Sequence, residues 1–239
     1  MANYYEKLNH DGRESSALER AIIERKKNTF LFSTSQPYVW LGKGVSSNVF
    51  IKDNPENIPM TRYNGTCGAL YLDENNIKIN LLVDDDGGRY ITSKEWVKKS
   101  LEDLGVFTTT EGDTDPRLLV EDKKIMGITA ETIGTKNFVV MYILVDVNYS
   151  IIPKVLTAEG SDSVLPENAI GINEVVDTPI TIEQIRDALK NRFAEFFGES
   201  LKDKKIPQAL INSQNKKLEL YNSDEWIKYG RVTKKPDYV

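Results

Sequence analysis

The stretch from Phe138 to Val147 restricts the fold more than any other. It reads Phe-Val-Val-Met-Tyr-Ile-Leu-Val-Asp-Val, and so apolar a run with this β-branched and aromatic content predicts a strand central in its sheet. Something must then cover that sheet. The clearest cover is Thr181 to Phe197, where Ile182, Ile185, Leu189, Phe193 and Phe196/Phe197 fall on one helical face. Thr181 with Gln184 three residues on gives that helix a capping-box start.

Further elements follow from period and punctuation. Ser15 to Lys27 carries Leu18, Ile22 and Ile23 at helical spacing behind a Ser-Ser cap candidate. Thr29–Ser33 and Tyr38–Gly42 read as strands separated by Gln36-Pro37. Ile58 to Asp73 reads as a loop feeding a half-buried strand over Asn76 to Val83, in which Ile77, Ile79, Leu81 and Val83 alternate with polar residues. A helix is expected from about Ser93, with Trp96, Val97, Leu101 and Leu104 on one face and an end near Gly105. Leu118–Val120 and Lys124–Met126 read as strands joined by a turn at Glu121-Asp122. Trp226, Tyr229 and Tyr238 among lysines suggest a short amphipathic tail. Strands and helices alternate without regular βαβ spacing and without repeats, which predicts an α+β fold in a single domain over 1–239 with no separate accessory domain.

Composition narrows the function classes. A net charge of -5 with lysines interleaved among acids leaves no basic footprint for nucleic acid. No apolar run approaches the roughly 18 residues of a membrane span, and the N-terminus has no secretion pattern, so a cytoplasmic protein is expected. One cysteine, Cys67, and one histidine, His10, cannot build a disulfide framework or a His/Cys zinc site. His10, in a polar stretch before Asp11-Gly12, is expected at the solvated surface, so histidine catalysis is not expected. Asp84-Asp85-Asp86 reads as a solvated turn rather than a cation site, since the EF-hand ligand pattern is absent.

Four segments in order then resemble the lipoate-protein ligase family. Pro37-Tyr38-Val39-Trp40-Leu41-Gly42-Lys43 and Asn48 are similar to its Pro-x-Val-x-x-Gly-Arg and following Asn. Arg62-Tyr63-Asn64-Gly65-Thr66-Cys67-Gly68-Ala69-Leu70-Tyr71-Leu72-Asp73-Glu74-Asn75-Asn76 resembles Arg-Arg-x-Ser/Thr-Gly-Gly-Gly-Ala-Val-Tyr-His-Asp-x-Gly-Asn, matching at Arg62, Gly68, Ala69, Tyr71, Asp73 and Asn76. Leu118 to Gly127 is similar to Ile-Leu-Val-x-Gly-x-Lys-Ile-x-Gly, with Lys124 on the family's active-site lysine. Tyr221 to Gly230, with Glu225-Trp226 and Gly230, looks like the Glu-Trp-x-x-Gly end of the family's catalytic domain with one residue inserted.

The resemblance implies a biotin/lipoate ligase-like catalytic domain with a mixed, mostly antiparallel sheet flanked by helices. It implies activation of lipoate or a related acyl group with ATP and Mg2+, and transfer to a lysine of a lipoyl-type carrier protein. Lys124 would bridge the acyl carbonyl and the phosphate, because charge builds there in the transition state; without the resemblance, Lys123-Lys124 reads as an exposed turn pair. Arg62 would contact phosphate as a bidentate donor, or else form a surface salt bridge. Gly65, Cys67, Gly68, Ala69, Tyr71, Asp73, Asn76 and Gly127 are the implied adenylate-binding positions, glycines there letting backbone N–H groups approach the ligand. The family's Asn-Asp at the nucleotide end falls on Pro116-Arg117, which leaves Asp115 as a candidate metal ligand. Cys67 has no histidine near it in sequence and reads as a pocket or core residue rather than a nucleophile. The altered glycine segment also motivates a second reading, a ligase-like binding module without turnover.

Overall fold

The computed structural model describes residues 1–42, 57–63, 69–84, 88–156 and 167–229. Nine of the strand and helix segments lead up to the central hairpins: β1 (Ala2–His10), α1 (Gly12–Arg25), β2 (Thr29–Ser35), β3 (Tyr38–Gly42), β4 (Met60–Tyr63), β5 (Ala69–Leu72), β6 (Asn76–Asp84), α2 (Arg89–Glu102) and β7 (Arg117–Val120). They are followed by β8 (Lys123–Ile133), β9 (Lys136–Leu144), α3 (Ile152–Val155), a 3-10 turn (Ile172–Glu174), α4 (Ile182–Phe197), β10 (Leu201–Asp203), α5 (Gln208–Asn222) and α6 (Asp224–Tyr229).

A seven-stranded sheet runs in the order β10-β1-β2-β6-β9-β8-β7, and a three-stranded sheet in the order β4-β3-β5. The β10-β1-β2 edge is parallel and the rest of the large sheet antiparallel. The α+β architecture with a mixed, mostly antiparallel sheet is therefore as expected from the sequence. β9 is central, as its apolar run requires, and pairs with β6 from Asn76↔Leu144 to Asp84↔Lys136.

Alternation of side chains sends Phe30, Phe32, Ile77, Ile79, Val139, Met141 and Ile143 to one face, where α2 and α4 cover them. Trp96 of α2 packs between Phe30 and Phe193, and its indole N–H donates to the Leu189 carbonyl at 2.9 Å. Thr181 caps α4 through the anticipated reciprocal bonds with Gln184, and Gly198 closes it at φ 67°. The opposite face, with Leu31, Leu82, Phe138, Val140 and Tyr142, is covered by α1 and by Tyr38, Trp40 and Leu72 of the small sheet. The small sheet's other side, with Val39, Leu41, Ala69 and Tyr71, packs on α3.

Several expectations from the sequence are corrected. His10 is not at the surface: it ends β1, pairs with Ser35 and is only 4% exposed. Asp11, not the Ser15-Ser16 pair, caps α1, accepting from the backbone N–H groups of Arg13 and Glu14 at 2.8 and 3.2 Å, while both serines are buried. A Cβ on Gly12 would lie 2.5 Å from the Tyr38 ring, so the tight strand-to-helix corner needs glycine there. The stretch read as a loop over Ile58 to Asp73 contains β4 and β5, and β6 is buried on both sides, its polar Lys78 and Asn80 included. α2 begins at Arg89, earlier than about Ser93. The proposed turn at Asp84-Asp85-Asp86 lies mostly outside the described residues; Asp84 itself ends β6 and accepts from Asn28.

Candidate functional site

The β7–β8 hairpin turns on Glu121 and Asp122, both in the left-handed region at φ 51° and 61°, the backbone of a two-residue turn that matches strand twist. Leu118 pairs with Met126 but Leu119 pairs with Lys124, so one extra residue is accommodated on β8 at Ile125. This β-bulge has a consequence for the site. It places Lys124 on the same face as Gly127, which a regular strand would not do. A Cβ on Gly127 would come 3.1 Å from Lys124 Cε and 3.3 Å from Nζ, so the absent side chain is what lets the lysine lie across the strand. Beyond the reach of β9, Lys124 is held by a different segment: its N–H donates to the Asn168 carbonyl at 2.9 Å, and the Ile170 N–H donates to its carbonyl at 3.0 Å.

Gly127 sits opposite Tyr142, Tyr142 opposite Lys78, and Lys78 opposite Ser33. The four positions form one row across the α1-side face, on which the Lys124 ammonium rests. Exposure falls along it, from half-buried Lys124 through Tyr142 at 7% to Lys78 at 2%. Lys78 forms an ion pair with the fully buried Glu19 of α1, donates to Ser15 Oγ at 3.0 Å, and lies 3.6 Å from the centre of the Trp40 ring. Asn80 Nδ2 adds a bond to Glu19 Oε1 at 3.2 Å. Burial alone pulls the Lys78 ammonium toward its neutral form, and Glu19 opposes this. The sequence analysis gave Lys78, Glu19 and Tyr142 no role in a site and met Trp40 only within the Pro37–Lys43 pattern. Its available signal was a lysine and an asparagine inside a strand that lies between two other strands.

Arg62 meets a different arrangement from the expected phosphate. Fully buried in β4, its Nε donates to the carbonyls of Trp226 and Ile227 in α6 at 2.8 Å each, and Nη1 donates to the Gly42 carbonyl at 2.7 Å. It ties the C-terminal helix to the small sheet. Asp73 likewise serves local structure: it accepts from the Asn75 N–H at 3.1 Å and from Asn76 Nδ2 at 2.7 Å, and it bonds the Tyr71 hydroxyl. Burial pushes its carboxyl up. Asn76 Oδ1 in turn accepts from the Val145 N–H at 3.2 Å, joining the β5–β6 turn to the end of β9. Ala69 lies in β5, facing α3. Gly65, Thr66, Cys67 and Gly68 lie outside the described residues, as do Lys43, Asn48 and Tyr238.

In the loop that the resemblance assigns to the nucleotide end, Asp115 accepts from Arg117 Nε at 2.9 Å and from the N–H groups of Arg117 and Glu111. The Arg117 bonds and the amide bonds hold its carboxyl below the usual range, against burial, which raises it. Lys94 of α2, buried, organises the same loop by donating to Thr110 Oγ1 and to the carbonyls of Gly112, Asp113 and Asp115 at 2.9 to 3.1 Å. Among the described residues no three His, Cys, Asp or Glu side chains converge as a metal site. The carboxylate of Asp115 is committed to Arg117, so these residues do not fit Mg2+.

A family model for the lipoyl protein ligase A/B catalytic domain matches residues 11–194, a span that includes α1, the small sheet, Lys78 and Lys124. The chain belongs to that family. No curated protein matches the ligase-family chain in sequence. Among solved structures it is similar to the bipartite lipoate protein ligase of Thermoplasma acidophilum, described with its E2 lipoyl domain, at TM-score 0.84 and 18% identity over 98% of each chain. It is also similar to a lipoate-protein ligase A bound with ATP, at TM-score 0.83 and 18% identity over 96% of this chain and 98% of that one. P. falciparum LipL1 in complex with lipoate gives TM-score 0.81 and 17% identity over 98% of this chain and 75% of that one. At these identities the likeness establishes the ligase fold. No helix among the described residues is long and apolar enough to cross a membrane.

Proposed function

We propose that this ligase-family chain transfers a lipoyl or similar acyl group, by way of an acyl-adenylate, to a lysine of a lipoyl-type carrier protein in the cytoplasm. The observation that carries the reading is the placement of Lys124: a bulge and a glycine hold its ammonium on the covered face, at the mouth of a row that becomes more buried inward. A cation fixed there in a partly dehydrated site stabilises the negative charge that develops when a carboxylate attacks a phosphate, and again when an amine displaces AMP. In the first step the acyl carboxylate oxygen bonds to the α-phosphorus of ATP and pyrophosphate leaves. In the second the acceptor lysine nitrogen bonds to the acyl carbon, AMP departs and the amine loses a proton.

The ATP-bound and lipoate-bound ligases of the same fold support this choice of substrates, and the Thermoplasma acidophilum system supports a lipoyl domain as acceptor. Arg62 reaches a phosphate only if its bonds to α6 and to the Gly42 carbonyl give way. The bipartite make-up of the Thermoplasma acidophilum ligase is a precedent for a second part acting beside a chain of this fold.

The test is incubation of the protein with ATP, Mg2+, lipoate and an apo lipoyl domain, alongside a reaction given synthetic lipoyl-AMP, read by mass spectrometry of the domain. Transfer from lipoyl-AMP is expected, and Lys124→Ala should lower it by roughly 10²–10³-fold without loss of folding. An unmodified domain in both reactions overturns the reading and favours a ligase-like binding module.

A further inference from the structure

We infer that the cleft at the end of the large sheet remote from Lys124 is a binding site for a small phosphate-bearing anion. The inference stands whether or not the chain transfers an acyl group.

The cleft, about 480 Å³ in volume, lies where the α1–β2 turn, the end of β6, the start of β9 and the segments flanking β10 meet. Ile133, at the end of β8, pairs with Lys136 of the cleft, whereas Lys124 stands near the start of the same strand. The length of β8 therefore separates the two places, roughly 25–30 Å at strand spacing. Four lysines line the cleft, Lys26, Lys27, Lys136 and Lys204, against two carboxylates, Asp84 and Glu199. They gather positive charge on a chain whose net charge is -5.

The carboxylates are already engaged. Asn28 Nδ2 donates to Asp84 Oδ2 at 2.9 Å and to Glu199 Oε1 at 2.7 Å, Lys136 pairs with Asp84 at 2.5 Å, and Glu199 pairs with the Met1 amino group at 2.8 Å. This network ties together the segments that form the cleft and offsets the two negative charges an incoming anion would face. The other three ammonium groups are not drawn into it: Lys26, Lys27 and Lys204 make no side-chain hydrogen bond or ion pair among the described residues. Like charges gathered from separate segments repel one another unless an opposite charge lies between them.

The backbone at Lys26 adds a second observation. This residue closes α1 in the left-handed conformation at φ 52°, the place that Gly198 takes at the end of α4 at φ 67°. Glycine adopts that conformation freely and lysine does so under strain. A cation at a helix C-terminus gains from the macrodipole, but that accounts for one lysine and not for Lys27 and Lys204 beside the same cleft. Phosphate suits the arrangement better than a carboxylate does. The lysines come from three segments, and a tetrahedral group with several anionic oxygens can meet all of them, whereas a carboxylate offers two oxygens in one plane. Lysine binds phosphate as a point charge, without the planar match that arginine requires. A cleft of this size takes a diphosphate with bridging water.

The experiment uses the full chain in buffer free of phosphate and Mg2+, titrated with pyrophosphate and separately with ATP, and read by calorimetry and by amide shifts of 15N-labelled protein. Pyrophosphate should bind one to one, with the largest shifts around Asn28, Lys136 and Lys204, and more weakly as salt is added. Lys27→Gln with Lys204→Gln, two exposed positions outside the Asn28 network, should lower the affinity roughly tenfold or more. Lys98→Gln with Lys216→Gln removes the same charge away from the cleft and should leave affinity within about twofold of wild type. ATP that moves the same amides at least tenfold more tightly assigns the cleft to the phosphates of a nucleotide, and equal or weaker ATP binding assigns it to the free anion; either supports the inference. Three results overturn it: no saturable binding of pyrophosphate at millimolar concentration, equal affinity in the two double variants, or shifts confined to the surroundings of Lys124 and abolished by Lys124→Ala.

Discussion

The two faces of the large sheet are made by the same strands and have opposite characters. On the α2/α4 side the residues are almost all apolar, the rings of Phe30, Trp96, Phe193 and Phe197 pack edge-on or stacked, and the one indole N–H among them is bonded to a carbonyl. On the α1 side the same alternation delivers His10, Ser33, Lys78 and Asn80 to the interior, against Glu19 and Ser15. A chain selected only for stability has little reason to do this, because replacing a buried ion pair with packed apolar groups is often neutral or stabilising. The apolar face holds the fold together, and the polar one carries Lys124, on which the proposed chemistry rests.

Substitutions on the two faces should separate these roles. Phe193→Ala deletes a fully buried ring from the aromatic cluster and should cost about 3–5 kcal/mol in urea unfolding, while the affinity for an acyl-adenylate analogue, measured under native conditions, stays within twofold of wild type. Lys78→Met should destabilise by a similar ~3–5 kcal/mol, by leaving the Glu19 carboxylate buried without its lysine, and should also alter analogue binding. Glu19→Gln added to Lys78→Met should recover most of the stability, because no buried charge is then left without its partner. If Phe193→Ala weakens analogue binding as much as Lys78→Met does, the division between faces is wrong.

The acid response offers a further way to break it. Burial pushes the His10 pKa down to about 3, and the charges of Lys7 and Lys78 push the same way. In the unfolded chain His10 takes up a proton near pH 6.5, whereas in the folded one it does so only near pH 3. The unfolded state therefore binds more protons between these values. Stability from this group is complete above about pH 6.5 and declines as pH falls toward 3, by up to ~1.4 kcal/mol per unit. His10→Asn should flatten the dependence of Tm on pH between 4 and 6; an unaltered slope would mean that His10 is not the buried acid-sensitive group on this face.

How much of this was readable in advance depends on whether the cause was local. The strands at Tyr38–Gly42 and around Phe138, the hairpin at Glu121-Asp122 and the Thr181–Gln184 cap rest on neighbours in sequence, and they form as read. β1 and α5 were missed because nothing local requires them. β1 gains its identity from β2 and β10 on either side, and α5 buries little beyond Leu210, Gln214 and Tyr221 where it lies along α1. His10 looked like a surface residue because polar type usually predicts exposure, and Lys78 was one of the unnamed polar partners in a strand read as half-buried; both are buried on the face that α1 covers. Lys124 was found through the family resemblance. The bulge that orients it could not be read from Ile125, whose side chain gives no sign of being the extra residue.

Arg62 tests the small sheet at intermediate magnitude. Arg62→Met removes charge-assisted bonds to the carbonyls of Gly42, Trp226 and Ile227, each worth roughly 1.5–3 kcal/mol where a charged donor is involved and not additive. The expected loss is about 2–3 kcal/mol, with hydrogen exchange in α6 rising before exchange in β6 or β9. Protection in α6 equal to wild type would show that this helix is held by something other than the arginine.

The smallest expected effect lies on the apolar side. Thr181 caps α4 by accepting from the Gln184 N–H at 3.2 Å while the Gln184 side chain accepts from the Thr181 N–H at 2.8 Å. Thr181→Ala removes one of these reciprocal bonds and exposes a helix N–H, for a loss of about 1 kcal/mol. Thr181→Ser keeps the oxygen and should restore nearly all of it. α4 packs on the sheet from the α2 side, so acyl-analogue affinity should stay at wild-type values in both variants. A change in affinity from so slight a loosening of α4 would mean that the two faces communicate through the strands they share, and that stability and chemistry in this enzyme are not divided by the sheet.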